Sequence, residues 1–150
     1  MKKYKFRLQT VLGMRQKVLE EKQLEMAKVV SLLNMQLQVL EDLLNKKELT
    51  KKNLEKIYEN NAELDILEIT NHKNFFSKMI NNIKIQEEVI KNIQIVLNAK
   101  QQEVTEALKE VKILEKLKEK QEKKFYQHYE YLQGKEIDDI ASTRYQKMTA

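Results

Sequence analysis

Two histidines, His72 and His128, are the side chains best suited to acid–base or metal chemistry, and they stand far apart in the sequence. A metal site needs converging ligands, which helices supply through His-x-x-x-His pairs or His and Cys together. Cysteine is absent, and with it thiol chemistry and disulfides. The only glycines are Gly13 and Gly134, so no glycine-rich loop exists to cradle a phosphate. The 23 carboxylates are scattered along the chain, and no spacing gathers them into a buried acid–base pair. The sequence therefore predicts neither an enzyme nor a cofactor.

The elements that carry these residues are plainer than the residues themselves. Phe76, Ile83, Ile90, Leu97, Val104 and Val111 recur every seven positions, supported by Met79, Ile93, Ala107 and Leu114 three positions further along. An apolar heptad of this length marks a helix that buries one narrow stripe against another helix. The first half supplies a matching ladder, Leu12, Leu19, Met26, Leu33, Leu40, Lys47 and Leu54, in which only Lys47 is polar. Two seams in one chain predict an all-α fold, a long two-helix antiparallel coiled-coil hairpin that satisfies itself as a monomer. With no proline and 34% charged residues, little interrupts the helices.

Taken in order, arm one is expected over about 5–69, with its helix starting near Phe6. The polar stretch 45–53 reads as a solvated part of that arm, and the seam resumes at Leu54, Ile57, Tyr58, Leu64 and Leu67. Residues 70–74, Thr-Asn-His-Lys-Asn, are the expected reversal, because both ladders fade there and Asn tolerates turns. Arm two follows over about 75–133. Gly134 is expected to end or kink it, leaving a short helical segment over 135–150. His128 falls on the seam in the Leu114 register. Arms of about 65 residues at 1.5 Å rise would span roughly 95 Å, and a reversal near residue 73 would set Gly13 beside Gly134. The whole chain, 1–150, then reads as one stalk-like domain.

Net charge is +5, and residues 1–30 alone hold eight cations against three acids, so the basicity belongs to one end. Those cations are interleaved with Glu20, Glu21 and Glu25, a poor phosphate footprint, and nucleic acid is not the expected partner. No apolar run in 1–14 is long enough for a signal peptide, and no segment approaches a membrane span. A soluble cytoplasmic protein is expected, with membrane association only peripheral or through a partner.

Both ends carry a recognisable pattern. Phe6-x-Leu8-x-x-Val11-Leu12-x-x-Arg15, with Glu20 and Ala27 following, resembles the N-terminal signature of the FliJ family of flagellar export proteins. The run from Leu114 to Lys120, then Tyr126 and Tyr129, then Glu136 to Ala141 and Arg144, is similar to that family's C-terminal signature. Gly13 and Asp139 depart from the residues the family more often carries. The resemblance implies a non-enzymatic stalk of the flagellar type III export apparatus. Such a stalk inserts into the export ATPase hexamer, contacts the cytoplasmic domain of the export gate and escorts export chaperones, in the service of motility. It would sit at the cytoplasmic side of the membrane without inserting. A virulence type III secretion stalk and a generic coiled-coil scaffold are the alternatives. On this reading Phe6, Leu8, Leu12, Arg15, Ile137, Asp138, Ile140 and Arg144 form the ATPase-ring end, and Phe75, Phe76, Met79 and Ile80 face the gate.

Overall fold

The computed structural model describes residues 2–60 and 66–149, and all regular structure among them is helical. α1 runs Gln9–Asn60 (52 residues) and α2 runs Ile66–Thr149 (84 residues). Leu, Lys and Glu are the commonest residues of α1 and Lys, Glu and Ile those of α2, and the unbranched ones lose little rotamer freedom in a helix.

The chain forms two compact units. One comprises Met1–Glu21 with Thr105–Ala150, the other Lys22–Val104. In each, α1 and α2 pack antiparallel along the two heptad ladders. In the first, Tyr4 meets Gln121, Gln9 meets Lys118 and Arg15 meets Glu110. In the second, Lys22 meets Glu103, Glu25 meets Lys100 and Gln36 meets Gln86. Every step up in α1 is matched by a step down in α2.

The ladders face the seam as their spacing requires. Leu12, Leu54, Met79, Ile83, Ile90, Ala107 and Val111 are buried. Leu19, Met26, Leu33, Leu40, Lys47, Phe76, Leu97 and Val104 are half-buried. A helix with one neighbour can cover only one stripe, and among the described residues no side chain is fully enclosed.

Several boundaries differ from the sequence reading. Residues 70–74 lie inside α2, and the Thr70 hydroxyl donates to the Ile66 carbonyl at 2.9 Å, a bond that seats threonine within a helix. Arm one thus ends at Asn60, and the connection falls in 61–65, outside the described residues. Leu64 lies there too, and Leu67 belongs to α2 with most of its surface exposed. Gly134 does not end the helix: α2 runs through it to Thr149, neither glycine has a positive φ, and no separate segment begins at 135. Gly13 lies near the level of α2 residue 112 rather than beside Gly134, as the adjacent Arg15–Glu110 pair shows.

α1 begins at Gln9, not Phe6. Its start is made by backbone, with the Gln9 amide donating to the Phe6 carbonyl at 3.2 Å and the Leu12 amide to the Leu8 carbonyl at 2.9 Å. Phe6 precedes the helix and folds back onto Leu12 and Val111, with Tyr4, Leu19, Leu114 and Leu117 around them. This is the logic of a hydrophobic staple, in which an apolar residue before the helix packs onto its first turns.

Truncating Leu12, 3% exposed, to Ala is expected to cost about 2–4 kcal/mol of stability. Truncating Leu24, 64% exposed, should change it by about 0.5 kcal/mol or less. Urea unfolding followed by far-UV circular dichroism measures both.

Candidate partner-binding surfaces

The unit Lys22–Val104 carries polar groups where the seam repeat calls for apolar ones. Gln86 and Lys100 occupy the positions between Met79, Ile93 and Ala107. Gln86 Nε2 donates to Gln36 Oε1 at 2.7 Å and lies 3.0 Å from the Gln36 carbonyl oxygen, so one amide meets another across the seam. Lys100 Nζ donates to Glu25 Oε2 at 3.0 Å and lies 3.5 Å from Glu103 Oε2, while Lys22 Nζ sits 3.3 Å from Glu103 and 3.7 Å from Glu25. Glu103 Oε2 is shielded from solvent without a hydrogen bond, held by the charges of the two lysines.

The hydrogen bond from Lys100 and then the charges of Lys100 and Lys22 lower the Glu25 pKa from its ordinary value. The hydrogen bond to Glu25 raises that of Lys100, against the opposing effect of burial, with Glu103 adding to the rise. Sequence inspection passed over this cluster because each member, taken singly, reads as a solvated charge.

In the other unit the ATPase-ring residues expected from the sequence do not converge. Phe6 and Leu12 are buried in the cluster with Val111, and Leu8 is only partly exposed. Arg15 Nη1 pairs with Glu110 Oε2 at 2.7 Å, both side chains about half exposed. Ile137 lies 27 residues beyond Glu110, about 40 Å further along a continuous α-helix. The termini are not level because α2 outruns α1. The last part of α2 to be covered is anchored by aromatics: Tyr4 and Phe125 ring centroids lie 5.6 Å apart, Phe125 meets Tyr126 edge-on at 5.4 Å, and the Tyr4 hydroxyl donates to Gln121 Oε1 at 3.0 Å. His128 is exposed rather than on the seam, lining a hollow of about 370 Å³ with Lys2, Phe125, Tyr129 and Leu132.

From 131 to 149 every residue of α2 is exposed. Ile137 (65%), Ile140 (55%), Tyr145 (70%) and Met148 (87%) stand among them. At 100° per residue, Ile137, Ile140, Ala141, Arg144, Tyr145 and Met148 fall within one arc of about 140°, with Lys135, Asp139, Ser142 and Gln146 on the far side. Asp138 and Arg144 lie in this stretch, free of the seam.

The expected gate residues also divide. Met79 is buried in the seam and Phe76 half-buried beside it, whereas Phe75 and Ile80 are each about two-fifths exposed. The exposed pair are about 140° apart around α2 and flank the seam instead of forming one patch. A groove of about 410 Å³ opens nearby, lined by Leu54, Tyr58, Ile69, His72 and Phe76 with Lys51. Its α1 residues became legible only once the reversal was placed before Ile66. His72 therefore faces an apolar groove, and among the described residues no group of three or more His, Asp or Glu is placed to hold a metal ion. Among them, too, no helix is long and apolar enough to cross a membrane.

The cluster should make stability depend on pH at both extremes. The contribution of Glu25, whose folded pKa is depressed, is present above its ordinary value of 4.5 and is lost as pH falls through the lower folded value. That of Lys100, whose folded pKa is raised, is complete below 10.5 and is lost as pH rises through the higher folded value. The melting-temperature difference between wild type and Glu25→Gln is therefore expected to hold at neutral pH and close in acid, as read by thermal circular dichroism.

Comparison with known proteins agrees with the helical plan. The family described as "Flagellar FliJ protein" matches residues 4–149. A "Flagellar FliJ protein" of Bacillus subtilis (strain 168) is 30% identical over 138 residues, covering 92% of each chain. No solved structure matches.

Proposed function

From the premise that the chain belongs to the flagellar FliJ protein family, we propose that it is a non-enzymatic stalk of the flagellar protein export apparatus. The observation that carries this reading is the free end of α2, 131–149, an amphipathic helix exposed on all sides. Monomeric proteins leave few contiguous apolar patches uncovered, and larger ones mark interaction sites. A bare helical end of this kind suits insertion into the opening of a ring, which contacts it from every direction.

The ring is that of the export ATPase. Around the base of the free end, Lys2, Lys3, Lys5 and Arg7 run beside the stretch containing Lys116, Lys118, Lys120, Lys123 and Lys124, as the Tyr4–Gln121 and Gln9–Lys118 bonds establish. This collar favours acidic loops on the ring and speeds encounter with them. Arg144 contributes a charge from the inserted helix. Arg15 is already engaged by Glu110 and contributes less.

Phe75 and Ile80, with the groove beside them, contact the cytoplasmic domain of the export gate, and export chaperones are escorted to it. The protein works in the cytoplasm and reaches the membrane's cytoplasmic side through the apparatus. A flagellar rather than a virulence secretion system follows from the family matched.

Arg144→Glu is expected to weaken capture of the flagellar ATPase hexamer by about tenfold or more, while Arg15→Glu has a smaller effect. Equal binding by wild type and Arg144→Glu in a pull-down would refute insertion of this end. Phe75→Ala should weaken binding to the gate domain by about tenfold in isothermal titration, and an unchanged affinity would remove Phe75 from that contact.

A further inference from the structure

The seam between α1 and α2 is satisfied within one chain, but the helix beyond it is not. Its charges are segregated. Glu136, Asp138 and Asp139, with Lys135, give residues 131–140 a net charge of −2, because Glu130 lies just outside; Arg144 and Lys147 give residues 141–149 a net charge of +2. The spacings do not let these blocks neutralise each other along the helix. Four residues after Glu136, Asp138 and Asp139 come Ile140, Ser142 and Thr143, and three residues after them come Asp139, Ala141 and Ser142. The ion pairs found among the described residues all involve other side chains.

We propose that this free end pairs with the same segment of a second copy of the chain, antiparallel, as a reversible homodimer. Antiparallel alignment lays the acidic half of each helix on the basic half of the other, twice by symmetry, as a two-fold interface requires. Aligned about its centre, the apolar arc also matches itself. Ile137 falls level with Met148, Ile140 with Tyr145, and Ala141 with Arg144, a small residue making room for a long one. A parallel pair would set acid on acid and base on base. In this alignment residues 136–149 overlap, a contact about 21 Å long, at the small end of stable interfaces, so the dimer is weak and forms with rising concentration. The pairing stands apart from the stalk reading, but it covers the surface that insertion needs, so each copy would shield the other's free end until a ring displaces it.

The test is sedimentation equilibrium of the full chain alone over two decades of concentration at low salt. The weight-average mass is expected to rise from 18.0 kDa toward twice that value, and added salt should reverse the rise. Ile140→Asp should hold the mass at the monomer value. Arg144→Glu with Lys147→Glu should do the same, and adding Asp138→Lys with Asp139→Lys should restore dimerisation. Circular dichroism on each variant checks that the helices remain. A wild-type chain that stays monomeric throughout would overturn the proposal, as would a dimer that survives Ile140→Asp or a charge-swapped variant that is not rescued.

Discussion

The contact of Gln86 with Gln36, and of Lys100 with Glu25, decides which residue of one helix meets which residue of the other. An apolar heptad ladder is nearly indifferent to a slip of seven residues, since one Leu or Ile replaces another. A polar side chain in the seam is not. Moved by one heptad, Gln86 would face Val29 or Leu43 instead of Gln36, and its amide would lose its partner within the seam. An unmet polar group there costs more than the bond itself contributes. Polar groups at such positions give up some stability and specify register.

Register in turn decides what is left over. Since Arg15 lies at Glu110 and Tyr4 at Gln121, α1 and the segment before it are exhausted near residue 125 of α2. Phe6 and Tyr4 finish that contact, one sealing the buried cluster with Leu12 and Val111, the other setting its ring tilted against Phe125. Leu132 still lines a hollow with Lys2, and residues 133–149 are exposed throughout. The exposed isoleucines and the segregated charges of the free end are thus consequences of where the seam stops.

The same register explains why the expected sites came apart. Grouping Phe6, Leu12 and Arg15 with Ile137, Ile140 and Arg144 assumed level termini, which a reversal near residue 73 would have produced. With α1 ending at Asn60 and α2 beginning already at Ile66, the partners of the α1 residues are displaced along α2. Phe6 and Leu12 then meet Val111 and become core, while the C-terminal residues are carried clear of α1. Phe75, Phe76, Met79 and Ile80 divide for a simpler reason. Four residues within six positions of one helix point in several directions, and the seam claims those on its own side.

Heptad spacing alone determined that the chain is all-α and that two helices pair along the Leu12 to Leu54 and Phe76 to Val111 ladders, while the motifs at its two ends carried the family resemblance. These properties are local or periodic, because a side chain's face on a helix follows from its number modulo the turn. Tertiary structure decided the position of the reversal, the partners of Gln86 and Lys100, the burial of Phe6 and the length of unpaired α2. Those depend on how two distant stretches are aligned. Thr70, Asn71 and Asn74 can close a turn or continue a helix at similar local cost, and only the sum of contacts along the seam selects between them.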